Sequence, residues 1–234
     1  SWPIEPGRLP AFVDAARLLN IRGCSITIPH KIDIIPLLDK TSENVREMGA
    51  CNTLYRDGEK ICGENTDVIG FTAPLRKRSL PPETRVLVLG AGGVSRAAIA
   101  GLRRLGLANI TLTNRRKERA EALCNEFGLL CAPWEERGDV PADLIINTTP
   151  LGMTGAQEHE TPYPRAFQDN GIAYDLIYTP FQTRFLRDAA AAGWETVSGL
   201  DMFIGQGDAQ FHLWTGHHLP EEAITAVTSA LYGQ

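Results

Sequence analysis

Val86-Leu-Val-Leu-Gly-Ala-Gly-Gly-Val-Ser-Arg-Ala-Ala-Ile-Ala-Gly-Leu102 decides the fold. Val86 to Leu89 form a short continuous apolar run, the pattern of a strand buried on both faces. Gly90, Gly92 and Gly93 follow, and then an Ala-rich run with helical spacing. Strand, glycine turn and helix make the first half of a βαβ dinucleotide-binding unit. Gly90 allows the tight turn, Gly92 lets the backbone approach a pyrophosphate, and the amides from Ala91 to Val94 face its charge at the helix N-terminus. Ser95 replaces the third glycine of the G-x-G-x-x-G pattern and is small enough to pack near the strand. A glycine turn of this kind also occurs without a ligand, so the next strand carries the decision.

That strand is Asn109-Ile-Thr-Leu-Thr113, followed by Asn114-Arg-Arg-Lys-Glu-Arg119. An NAD-binding unit usually carries Asp or Glu here to hold the ribose 2′-hydroxyl. This chain has Asn114, Arg115, Arg116 and Arg119, which suit a 2′-phosphate because a guanidinium holds phosphate oxygens in pairs. Basic residues in a first helical turn oppose the helix dipole and need another reason to be there. The cofactor expected is therefore NADP.

Outward from this unit, strand and helix keep alternating. A helix is expected over 117–127, strands over 129–132, 143–147, 173–178 and 194–197, and a helix over 183–192. The alternation implies a doubly wound parallel sheet of Rossmann type. The loops at 90–94, 114–119, 148–153 and 178–183 should then share the rim at the carboxyl ends of the strands. Helices are expected over 202–214 and 221–231.

Upstream of Val86 the pattern differs. A helix over 10–19 puts Phe12, Ala15 and Leu18 or Leu19 on one side, and Cys24 to Ile28 alternate as a strand. After Pro29, a helix is expected from His30 to Leu38. It would hold Lys31 at a helix N-terminus, where positive charge is disfavoured and proton transfer is favoured; a solvated surface lysine fits the same local pattern. A polar helix follows over 42–48. Asp57-Gly58 is a turn signal between two short strands. Asn65-Thr66-Asp67 then opens a helix, with Asp67 in the place of an N-cap. Ser79-Leu-Pro-Pro82 breaks that helix and marks a domain boundary.

Composition narrows the class. The chain has 234 residues, 43% hydrophobic and 22% charged, enough for two domains with real cores. A net charge of −5 argues against a nucleic-acid partner. No apolar run has membrane-spanning length, and the opening residues lack signal-peptide character. The five cysteines include no C-x-x-C pair and read as reduced thiols of a cytoplasmic protein; the scattered histidines give no metal site.

Taken in order, these motifs resemble the shikimate dehydrogenase family with its quinate/shikimate relatives. Ile26-Thr-Ile-Pro-His-Lys31 is similar to the strand that carries the family's catalytic lysine. Gly49-Ala-Cys-Asn52-Thr resembles G-A-x-N-T, and Asn65-Thr-Asp67 resembles N-T-D. Gly90-Ala-Gly-Gly93 and Asn114-Arg115 resemble its NADP loops, and Asn147-Thr-Thr-Pro-Leu-Gly-Met153 its N-x-T-x-x-G-M. Asp175-Leu-Ile-Tyr178 through Thr183, and Gly199-Leu-Asp-Met202 through Gln206, resemble its last motifs.

The resemblance implies two α/β domains around a cleft: 1–79 with 204–234 for substrate, and 80–203 as the Rossmann-type NADP domain. It implies a Lys31–Asp67 proton-transfer pair in the NADPH-dependent reduction of 3-dehydroshikimate. Thr27, Asn52, Asp67, Tyr178 and Gln206 would bind substrate hydroxyls. Thr148 and Leu176 would join the cofactor loops, and Gly199 would lie close to the nicotinamide. The partner implied is a small molecule, and the assembly a monomer or homodimer.

The family's usual opening strand, its G-x-P-x-x-H element and its Ser-x-Ser carboxylate grip are not in the given sequence. Without them, the first sheet is expected to expose an edge and lose an anchor worth about 1.5–3 kcal/mol. Other readings are a non-catalytic NADP- or shikimate-sensing module, a fragment, and an NAD-using quinate dehydrogenase. Retention of both Lys31 and Asp67 favours the enzyme, and the basic cluster disfavours NAD.

Overall fold

The computed structural model describes residues 2–27 and 29–232; Ser1, Ile28, Gly233 and Gln234 lie outside it, including the last residue of the strand expected over 24–28. Two sheets organise the chain.

The first sheet has four strands: β1 (Gly23–Ser25), β2 (Lys40–Thr41), β3 (Thr53–Asp57) and β4 (Lys60–Glu64). Their order is β1-β3-β4-β2. The β3–β4 hairpin turns where Asp57-Gly58 predicts, with Asp57 opposite Lys60. β2 was not expected; it is only two residues long and runs parallel to β4. α1 (Leu9–Leu18) covers this sheet through Leu9, Val13 and Ala16, with Phe12 packed alongside. Leu18 and Leu19 are exposed, so the buried stripe is rotated from the one expected.

The helix expected from His30 to Leu38 does not form. Turns lead instead into a single 3-10 turn, Ile35–Leu37. Pro36 has no amide to donate, and the bonds around it close as i to i−3, as from Leu37 N to Ile34 O at 3.0 Å. α2 (Glu43–Met48) forms as expected, with Ser42 capping it by accepting from Val45 N.

The second sheet has six parallel strands: β5 (Val86–Leu89), β6 (Ile110–Thr113), β7 (Leu130–Cys131), β8 (Leu144–Asn147), β9 (Ile172–Asp175) and β10 (Glu195–Val197). Their order is β10-β9-β8-β5-β6-β7. Numbered from β5, this is the 3-2-1-4-5-6 order of a dinucleotide-binding sheet, with its switch point between β5 and β8. β9 stops at Asp175, short of Tyr178, and the chain leaves the sheet there. α4 (Gly93–Arg104), α5 (Lys117–Phe127) and α6 (Arg184–Ala191) cover the faces. Alternation along β5 sends Val86 and Val88 into one core, and Leu87 and Leu89 into the other.

Two helices join the sheets, α3 (Asp67–Leu75) and α7 (Gly199–Thr215), and α8 (Glu221–Tyr232) ends the described chain. α7 starts three residues earlier than expected. α3 and α7 approach closely because Gly70 and Gly205 face each other. A Cβ on Gly70 would stand 2.5 Å from Met202 O and 2.8 Å from Gln206 N, inside contact distance of backbone. That crossing brings Gln206 beside the N-terminus of α3.

Candidate active site

The cleft between the sheets gathers residues from five segments. Lys31 Nζ lies 2.8 Å from Asp67 Oδ2, with side chains 29% and 20% exposed. This pair is solvent-accessible but half enclosed, a setting in which a proton can be exchanged and a charge still felt. Asp67 is the first residue of α3, and Thr66 occupies the N-cap position assigned to Asp67 from sequence. The carboxylate is thereby released from capping and turned to Lys31. Its other oxygen, Oδ1, accepts from Asn52 Nδ2 at 2.8 Å. The turn itself is held by Asn65, whose Oδ1 accepts from Asp67 N and whose Nδ2 donates to Ala50 O.

The orientation of Asn52 follows from its surroundings. Thr66 N can only donate, and it lies 2.9 Å from Asn52 Oδ1, so the amide nitrogen must face Asp67. Lys31 is carried by a turn rather than by the helix N-terminus expected of it, and Cys51 N donates to Lys31 O at 2.7 Å. The neighbouring Cys51 thiol is pushed up to about 11 by burial, which keeps it protonated and inert.

Thr27, Lys31, Asn52, Asp67, Tyr178 and Gln206 all line one cavity of about 420 Å³. Tyr178 stacks on Phe203 of α7 with ring centroids 5.0 Å apart. Val94, Leu176 and Gly199 line the same cavity from the side of the second sheet. Ser25, Phe203 and Gln210 also line it, and sequence reading missed all three. Ser25 precedes Thr27 by two residues and Gln210 follows Gln206 by four, so strand and helix periodicities would have placed them beside the chosen residues.

A second cavity, about 230 Å³, opens at the switch point. Gly90, Ala91, Gly92, Asn114, Arg115, Arg116, Arg119 and Thr148 line it, joined by Trp134, which sequence reading also missed. Gly93 begins α4 at its edge. Gly90 has φ +115°, a conformation L side chains rarely adopt. Ser95 does more than pack: its Oγ accepts from Gly92 N at 2.9 Å and pairs with Thr148 Oγ1 at 2.7 Å, tying the two switch-point loops. The rim holds the 90–94, 114–119 and 148–153 loops as expected. The 178–183 loop is a correction, since Tyr178 faces the cleft cavity instead.

The second cavity fits a phosphorylated dinucleotide. Its floor is a glycine turn at a helix N-terminus, and nothing lies within 4 Å of a Cβ built on Gly92 or Gly93. Arg115, Arg116 and Arg119 form no salt bridge among the described residues, leaving three guanidiniums available to an anion.

Asp175 is fully buried at the end of β9, one residue before Leu176 of the cleft cavity. It accepts from Thr183 Oγ1 (2.6 Å), Asn147 Nδ2 (3.0 Å) and Ile177 N (3.0 Å). Burial pushes its carboxyl up to about 7 against those three donors.

Comparison with known proteins agrees with this geometry. Residues 1–54 match the shikimate dehydrogenase substrate binding domain, residues 75–136 match shikimate / quinate 5-dehydrogenase, and residues 199–227 match the shikimate 5′-dehydrogenase C-terminal domain. The shikimate dehydrogenase (NADP(+)) of Pelobacter propionicus is 56% identical over 98% of this chain and 84% of its own length. The chain belongs to the shikimate dehydrogenase family.

The fold agrees. The Thermus thermophilus shikimate 5-dehydrogenase, solved with NADP(H) and shikimate, superposes with a TM-score of 0.85 at 35% identity, covering 98% of this chain and 86% of that one. A 5-ketofructose reductase of Gluconobacter superposes at 0.88 with 29% identity, covering 98% and 86%. No helix among the described residues is long and apolar enough to cross a membrane, and no cluster of metal-ligating side chains occurs among them.

Proposed function

We propose that this chain is an NADP-dependent shikimate dehydrogenase in which Lys31 and Asp67 are the proton-transfer pair. The observation that carries the reading is the 2.8 Å contact between Lys31 Nζ and Asp67 Oδ2, in a cleft that also meets the dinucleotide rim. When bound, NADPH supplies the hydride that reduces the carbonyl carbon of 3-dehydroshikimate. Lys31 gives a proton to the forming alkoxide, so that one hydride and one proton convert ketone to alcohol; in the reverse direction it takes the hydroxyl proton back. Asp67 holds the ammonium in place, and Asn52 holds Asp67. Thr27, Asn52, Asp67, Tyr178 and Gln206 bind the substrate's oxygens.

On the cofactor side, Gly90 to Val94 and Thr148 take the pyrophosphate. Asn114, Arg115, Arg116 and Arg119 take the adenosine end with its 2′-phosphate. Leu176 and Gly199 close the nicotinamide end. We assign residues 1–79 with 204–234 to the substrate domain and 80–203 to the cofactor domain. The two distinct sheets support that division, and α7 runs unbroken across its second boundary. The reaction belongs to aromatic amino acid biosynthesis, and five unpaired thiols support a cytoplasmic setting for a monomer or homodimer.

The test is NADP⁺ reduction followed at 340 nm with shikimate and with quinate, beside Lys31→Ala. Turnover with shikimate that the substitution abolishes supports the reading. A folded protein that binds NADPH but turns over neither substrate overturns it.

A further inference from the structure

Ser25 enters no role above, yet its side chain lines the cleft cavity. It is the last residue of β1, and Thr27 follows two residues on; both are exposed, while Ile26 between them is buried in the core of the first sheet. Ser25 Oγ lies 2.8 Å from Gln210 Oε1, and Gln210 is 6% exposed.

The direction of that bond is fixed from the far end of the amide. Gln210 Nε2 lies 3.0 Å from Thr53 Oγ1 and 3.4 Å from Asn52 O. A carbonyl oxygen can only accept, so the nitrogen belongs on that side and the oxygen faces Ser25. Thr53 Oγ1 receives Gln210 and passes its own hydrogen to Asn52 Oδ1 at 2.7 Å, consistent with the orientation that Thr66 N imposes on Asn52. Two backbone groups, Asn52 O and Thr66 N, thus set every amide and hydroxyl between Ser25 and Asp67. Ser25 must donate to Gln210, which leaves only lone pairs facing the cavity. Both polar ends of Gln210 are engaged, so it orients Ser25 and does not itself bind substrate.

We propose that Ser25 is a further substrate-binding residue, and that Gln210 is the positioning residue that fixes it as a hydrogen-bond acceptor. This corner of the cleft then takes a hydroxyl group and disfavours a carboxylate or carbonyl oxygen, either of which would face lone pair to lone pair. Rejection of a ligand that leaves a polar group unpaired is the stronger half of such selectivity. The inference rests on the dehydrogenase reading for the identity of the substrate.

The experiment compares wild type, Ser25→Ala and Gln210→Met with shikimate and with the two analogues that each lack one non-reacting hydroxyl. Turnover is followed with NADP⁺, and ligand affinity is measured by calorimetric titration of the NADP⁺-loaded protein. Ser25→Ala is expected to raise both KM and Kd for shikimate about tenfold. Its kcat should stay within threefold, and the KM for NADP⁺ should not move. For one deoxy analogue, wild type and Ser25→Ala should bind equally, because the hydroxyl that Ser25 receives is already gone. Gln210→Met, which keeps the volume, should raise the shikimate KM about threefold to fivefold and narrow the gap between shikimate and that analogue.

Equal losses for shikimate and both analogues would reduce Ser25 to a structural role and overturn the inference, as would an unchanged KM in Ser25→Ala. Unaltered selectivity in Gln210→Met would remove the orienting role. If wild type binds shikimate without turning it over, the dehydrogenase reading fails, while the calorimetric comparison still decides for or against Ser25.

Discussion

The cofactor rim and the substrate cleft are built by different means. The rim is made of backbone and near neighbours in sequence: a glycine turn, the start of α4 and the arginines that follow β6. The cleft draws side chains from around residues 27–31, 52, 66–67, 178 and 206, which only the packing of α3 on α7 and the hairpin brings together. A local chemical need leaves a local pattern. A site assembled across long sequence separations leaves scattered single residues, each with an ordinary explanation of its own.

The comparison is broken most sharply at Lys31. Lys31→Ala is expected to lower kcat about a thousandfold, within the range of general acid–base catalysis, while NADPH affinity stays within twofold. Single-turnover kinetics and a fluorescence titration with NADPH check the two halves. Loss of NADPH binding together with turnover would show that rim and cleft are not separable.

Asp175 precedes Leu176 of the cleft and bonds Asn147, the neighbour of Thr148 in the rim, so it tests whether the two regions are joined. Its carboxyl is pushed up to about 7 from an ordinary value near 4, so the folded protein holds a proton there that the unfolded chain has released. Its contribution therefore favours folding at low pH and is lost as pH rises toward 7. Asp175→Asn has no such proton, and its oxygen can serve Asn147 and Ile177 while its NH₂ faces Thr183. From pH 5 to pH 7, the wild type should lose about 2–3 kcal/mol of stability relative to the variant, measured by urea unfolding. Parallel curves would mean that the three donors outweigh burial and that the group is an ordinary ionised clasp.

The legibility of the chain follows the same division. β5, its glycine turn, α4 and the strand-helix alternation after them were all readable, because parallel strands buried on both faces are continuous apolar runs. The segment after Pro29 was not: His30-Lys-Ile-Asp-Ile-Ile looks helical until Pro36 withdraws its amide and tightens the chain into a 3-10 turn. β2 is two residues long and pairs with a strand some twenty residues away, which no periodicity reveals. The local pattern singled out Lys31, but on a helix start that does not form; Asn52 and Asp67 became candidates only as members of a series of motifs, since a turn asparagine and a helix-start aspartate are common singly. Ser25, Gln210 and Trp134 carried no motif at all.

Gly70 tests the crossing that assembles the cleft. Gly70→Ala puts a Cβ 2.5 Å from Met202 O, a backbone atom that cannot swing away. The cost expected is about 1–3 kcal/mol of stability. Because the displaced helix carries Gln206, the KM for shikimate should rise while the Kd for NADPH holds. A variant as stable as wild type, with an unchanged KM, would mean that α7 can shift freely and that the cleft tolerates a looser assembly than the close approach implies.

The finest distinction lies within the rim, at Arg115 and Arg116. Both line the switch-point cavity without a salt-bridge partner among the described residues, but Arg116 is also the N-cap residue of α5, where its backbone is already committed. A bidentate phosphate contact is worth about 1.5–3 kcal/mol, so Arg115→Ala should weaken NADPH binding by about tenfold to a hundredfold. Arg116→Ser replaces a poor cap with a good one and removes one guanidinium, so its loss should be smaller, about threefold, and offset in stability. NADH, which lacks the 2′-phosphate, should bind all three proteins alike, and added salt should shrink the NADPH differences. If NADH weakens in step with NADPH, the arginines hold the adenosine as a whole, and preference for the phosphorylated cofactor has to come from elsewhere in the rim.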